Sequence, residues 1–159
     1  MANDGDSTRV HNSFRQLSAT ASSLNQASDR LGTHVSELES ALKDLNLGVE
    51  AWVRVEKEID DHGNFTSRSV GYAKLSKGWC IALRSVDGND NGPEYSETEV
   101  WPFSEGPRWF RIKAVDQLPA LLDELNAKAQ ELSKHLNAKL AETTQLVMGV
   151  KSATKAGSK

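Results

Sequence analysis

Only one cysteine, Cys80, stands among the 159 residues, so no internal disulfide framework is available, and a reducing compartment is expected. No hydrophobic run approaches the roughly 18 to 20 residues that cross a bilayer. The opening stretch, Met1 to Asp6, is acidic and lacks an apolar core, so no signal peptide is expected either. A surplus of positive charge is missing as well: 19 basic residues face 22 acidic ones, a formal net charge of -3. Duplex DNA or an anionic membrane would call for a basic face, so neither is expected as a partner. The spacings HExxH, GxSxG, CxxC and the phosphate-binding P-loop are all absent. The histidines, His11, His34, His62 and His135, are scattered, and Cys80, with no paired histidine motif, reads as a buried thiol rather than a nucleophile. A cytoplasmic single domain without cofactor, metal or catalysis is the expectation.

What the chain does have is a long heptad pattern. Val10, Phe14, Leu17, Ala21, Leu24, Ser28, Leu31, Val35, Leu38, Leu42 and Leu45 alternate by fours and threes, which predicts a helix over residues 9–48 with a coiled-coil seam. Asp6 or Ser7 supplies a first-turn cap, and Gly48 supplies a left-handed stop. Residues beside the seam are small and uncharged, among them Ala27, Gly32 and Ala41, with Glu39 the one acid. Two-stranded coiled coils carry Glu and Lys at those positions. Small residues instead admit further helices at close range, so Ala27, Gly32 and Ala41 are candidate subunit contacts. Ser18 to Ser28 is rich in weak helix formers, so the helix is expected to need packing partners.

A second helix is predicted over 115–150, with Leu118, Leu122, Leu125, Ala129, Leu132 and Leu136 on its seam and a stutter before Leu140. Pro119 falls in its first turn, where a missing donor costs little. Its length, near that of the first helix, predicts an antiparallel hairpin, with Phe14, Leu17, Leu24, Leu31, Leu38 and Leu45 set against Leu122, Leu125, Leu132 and Leu136. Residues 1–8 and 151–159 are small and polar or basic and are expected to be disordered.

Between the helices the period changes to two. Val49, Ala51, Val53, Val55 and Ile59 alternate with Glu50, Trp52, Arg54, Glu56 and Glu58. Asp60 to Asn64 and Ser76-Lys77-Gly78 are turn sequences. Strands are expected near 67–75, 79–86, 95–101 and 108–114, giving an antiparallel meander of four or five strands over 49–114. The fold class is therefore α+β, with two long coiled-coil-type helices flanking that meander.

Two features carry candidate chemistry. Asp87, Asn89, Asn91 and Gly92 match the first half of a calcium-loop pattern, but the twelfth position is Thr98 where a bidentate acid belongs. The stretch therefore reads as a hairpin loop, with weak calcium binding as a minor alternative. Nine of the ten aromatics lie between Trp52 and Phe110. Trp52, Trp101, Arg108, Trp109 and Arg111 mix ring faces with guanidinium groups in the manner of an interface hot spot, or else build the core of a small sheet. Single-stranded nucleic acid is not expected there, because 49–114 carries nine basic and eleven acidic residues.

These readings converge on a non-enzymatic interaction and assembly module: a helical hairpin that self-associates, a dimer being favoured, and a β-domain that binds a protein. Helix, β-segment, helix is similar in order to prefoldin-type chaperone subunits, and that similarity implies a client-gripping alternative. An accessory subunit of a larger defence- or phage-related complex is a third reading.

Overall fold

The computed structural model describes residues 4–91 and 96–157. Helix α1 (Asp4–Leu45) leads into four strands, β1 (Ala51–Ile59), β2 (Asn64–Leu75), β3 (Gly78–Asn89) and β4 (Ser96–Pro102). A single 3₁₀ turn (Phe103–Glu105), a short helix α2 (Arg108–Val115) and a long helix α3 (Leu118–Ala156) follow. The protein is thus α+β, with one antiparallel sheet in the order β1-β2-β3-β4. The turn predicted at Ser76-Lys77 joins β2 to β3, and Gly78 sits at a φ of 114°, open to glycine at no steric cost. Asn46 (φ 49°) and Gly48 (φ 65°) end α1.

The sheet has two unlike faces. Paired residues of an antiparallel ladder share a face, so the rows Ala51-Tyr72-Ile81 and Val53-Val70-Leu83-Trp101 lie together. This inner face meets Phe110 and Ala114 of α2, Leu121 and Leu125 of α3, and Val35 and Leu42 of α1, in one buried cluster. The outer face carries Trp52, Gly71 and Ala82 in one row and Arg54, Ser69 and Arg84 in the next. Its exposed residues include Arg54, Lys57, Thr98 and Val100.

A bulge at Val55, between Arg54 and Glu56, shifts the register of β1. The extra residue flips every later side chain to the opposite face. Glu56 and Glu58, expected beside Trp52 and Arg54, move to the inner face, while Lys57 and Ile59 move to the outer one.

The fifth strand does not form. Residues 108–115 are helical, starting behind Pro107, whose φ of -55° suits a helix start. Phe110 and Ala114, four apart, are buried there, whereas Trp109 and Ile112 are exposed. An eight-residue string fits both periods, and the helical one holds here, turning Phe110 and Ala114 inward together. The helices also run further than expected: α1 starts at Asp4 and α3 continues to Ala156, so residues 4–8 and 151–156 are helical.

The expected pairing of α1 with α3 is corrected as well. The two long helices do not run along one another; α1 docks on β3 and the 3₁₀ turn, α3 on β1 and β2. The docked ends of both helices contribute to one cluster on the sheet rather than pairing along their lengths. Four residues of the α1 seam (Leu31, Val35, Leu38 and Leu42) are spent on the sheet cluster, and Leu45 is exposed. On α3 the docked residues are Leu118, Leu121 and Leu125, while Leu122 of the expected seam is 39% exposed. Every residue from Gly5 to Ala27 and from Gln130 to Gly157 is exposed. Each long helix therefore has a docked segment and a projecting arm, the arm being the longer part of α3.

Candidate functional site

The proposed aromatic cluster divides between the two faces. Trp101 and Trp109 both contact Phe110, Trp101 edge-on at 6.4 Å and Trp109 stacked at 5.5 Å. Trp109 also takes Arg68 over its ring at 4.8 Å and Lys113 at 5.6 Å. These rings finish the inner face and fasten α2 to it. Arg108 donates to Asn25 Oδ1 at 2.8 Å and Arg111 to Ser28 Oγ at 3.3 Å, tying α2 to α1. Arg108, Trp109 and Arg111 thus join helix to helix and helix to sheet, and Trp52 lies on the far side of the sheet from them.

Glu56 is the polar bolt of this joint. Its carboxylate accepts from Lys113 Nζ at 2.5 Å and Arg68 Nη1 at 2.6 Å, with its side chain 18% exposed. The Lys113 hydrogen bond, then that from Arg68, hold its pKa below the ordinary glutamate value against the opposing effect of burial. The bulge at Val55 is what brings Glu56 to Lys113.

Glu39 performs a second structural task. It accepts from Lys43 Nζ at 2.6 Å and, through its other oxygen, from the Ile81 backbone N–H at 2.9 Å. β4 ends its pairing at Ala82, so β3 beyond that point is an uncovered edge. Glu39 satisfies one of its donors, and α1 covers it, as edge strands require. The single acid flanking the α1 seam was the available sequence signal.

A cleft of about 660 Å³ lies beside this edge, between α1 (Gly32, Val35, Glu39), the β2–β3 turn and Pro102–Glu105. Cys80 lines it, and burial, with the nearby Glu39 charge, pushes its thiol above the ordinary cysteine value. A thiol held protonated is a poor nucleophile. Among the described residues no three His, Cys, Asp or Glu side chains group as a metal site. Of the expected subunit contacts, Gly32 lines this cleft, Ala41 is exposed, and Ala27 borders a crevice with Arg108, Arg111 and Ile112 of α2.

The calcium-like residues are spent on hydrogen bonds. Asp87 accepts from the Thr66 hydroxyl; Asn89 donates to Asn64 Oδ1 at 2.7 Å and accepts from the Asn91 N–H at 2.7 Å. Asn91 in turn donates to the His62 carbonyl, and its side chain occupies the space beside Gly63, where φ is 81°. Together these bonds brace the β1–β2 turn, which Asp60 organises by accepting from Asn64 and from the His62 N–H. The Asn64 side-chain bond holds the Asp60 pKa below the ordinary aspartate value. Gly92 lies outside the described residues.

The outer face completes the inventory. Trp52 donates its indole N–H to Glu50, packs against Gly71, and takes the Arg84 guanidinium over its ring at 4.2 Å. Lys57 sits over Phe65 at 4.9 Å. Arg84 escaped the sequence reading because its partner ring stands two strands away, a contact that only register reveals. No protein-family model, curated protein or solved structure matches the chain. Among the described residues no helix is long and apolar enough to cross a membrane.

Proposed function

We propose that the protein is a non-enzymatic assembly module whose copies join through the projecting arms of α1 and α3, leaving the sheet to receive a protein partner. One observation carries the reading: the arms present large apolar residues to solvent. Phe14 is 70% exposed and Leu17 62%, and Val10 and Leu24 continue that stripe, which Leu136, Leu140, Val147 and Val150 match on α3. Exposed apolar stripes of this extent mark interaction surfaces. Arms of about 35 and 42 Å, each offering a strip about 10 Å wide, give roughly 800 Å² per copy. That area is what a stable interface needs from each side. A second copy fits best, because the seam of α1 keeps its heptad order through the arm and is flanked by small residues that admit a close helix.

The test is solution mass by light scattering at micromolar concentration. The intact chain is expected at twice 17.4 kDa or more. Phe14→Glu with Leu17→Glu is expected to reduce it to one chain with the same circular dichroism per residue near the sheet's tryptophans. An intact chain that stays at a single-chain mass would defeat the assembly reading.

A further inference from the structure

The charge balance of the β-segment conceals a segregation by face. Across the paired strands, the outer face carries Arg54, Lys57 and Arg84 and no acid. The inner face beyond the helices carries Glu56, Glu58, Asp87, Glu97 and Glu99 against Arg68. The bulge at Val55 sharpens this division by sending Glu56 and Glu58 inward and Lys57 outward. Among the described residues no carboxylate forms a salt bridge with Arg54, Lys57 or Arg84, whereas Arg68 and Lys113 both reach Glu56. The Arg84 guanidinium sits over Trp52, and Lys57 sits over Phe65. Stacking of this kind orients a guanidinium and lowers the rotamer freedom it would lose on binding.

We infer that the outer face of the sheet docks an acidic polypeptide, with Arg54, Lys57 and Arg84 receiving its carboxylates around the Trp52 ring. Charge complementarity names the occupant: three cations that no carboxylate salt-bridges, on a face whose one neighbouring acid, Glu50, is engaged by the Trp52 indole, fit a run of carboxylates, and a guanidinium fork binds a carboxylate through two parallel hydrogen bonds. Arg beside Trp is also the composition of interface hot spots. Single-stranded nucleic acid would need bare ring faces on which bases stack, and both outer-face rings already carry a cation. The proposal deepens the reading of the sheet as a protein-binding surface and is independent of the arms.

The experiment is fluorescence anisotropy of a labelled oligo-glutamate peptide titrated with the full chain at low salt, with oligothymidylate of equal length as the rival probe. The peptide is expected to bind, to be released by added salt, and to prefer the protein over the oligonucleotide. Arg54→Glu and Arg84→Gln are each expected to weaken it by about tenfold. Lys134→Glu, on the α3 arm, is expected to leave binding unchanged. Arg84→Gln keeps the side chain's bulk over Trp52, so a folding defect and a docking defect separate by melting temperature. Light scattering on the same samples reads assembly separately. No peptide binding, equal loss in Lys134→Glu, or tighter binding of the oligonucleotide would overturn the inference.

Discussion

Gly71→Val is expected to remove about 3 kcal/mol of stability. A Cβ at Gly71 would lie 2.3 and 2.4 Å from two carbons of the Trp52 ring and 2.6 Å from the Ala51 carbonyl oxygen. The ring has a way out only by leaving Arg84, and the carbonyl has none, because it belongs to the paired backbone of β1. Glycine is therefore required here for close approach of an indole, not for an unusual backbone angle. Urea denaturation reads the loss as a lower midpoint at unchanged slope. A wild-type midpoint would mean that Trp52 does not lie across β2.

Leu121→Ala is expected to cost about 3 kcal/mol, while Leu122→Ala, one residue on, is expected to cost under about 0.5 kcal/mol. Leu121 is 1% exposed at the centre of the cluster. The heptad reading of α3 ranks the two the other way, with Leu122 on the seam and Leu121 beside it. Both are best measured on the Phe14→Glu, Leu17→Glu background, so that association does not enter the comparison. Equal losses at the two positions would mean that α3 meets something other than the sheet.

These contrasts locate what could be read from the order of residues. Helix and strand content followed from local periods, and the two hairpin turns from Gly and Asn at positions that need them. Helix partners did not follow, because a heptad stripe states that a face is apolar without stating what covers it. The Leu31–Leu42 stripe is covered by a sheet, although its spacing equally suits a helix. Residues 108–115 were misread because eight residues hold about two helical turns and four strand repeats alike. The bulge at Val55 was invisible: nothing in Arg54-Val55-Glu56 departs from a regular strand pattern, and the shift appears only against the register of β2. That single extra residue decides which face holds Glu56, Glu58 and Lys57, so the outer basic face was hidden by an overall charge near neutrality. The roles of Glu39 and Arg84 rest on contacts across more than thirty residues of sequence.

The two parts of each long helix are under different constraints. The docked segments bury Val35, Leu42, Leu121 and Leu125, whose removal from water stabilises the fold. Apart from the contact of Asn25 with Arg108 at its base, the α1 arm stays exposed, as does the α3 arm, and α1 in particular is built from Ser, Asn and Thr between Ser18 and Ser28. A helix of that composition is marginal in water unless something packs on it. The proposed self-association supplies that packing and explains why the apolar period continues past the point where the sheet ends.

Amide hydrogen exchange as a function of protein concentration tests this account most directly. Protection in residues 5–27 and 130–157 is expected to rise with concentration, while the docked segments and the sheet stay protected throughout. Arms that exchange at one rate from the most dilute to the most concentrated sample would contradict it.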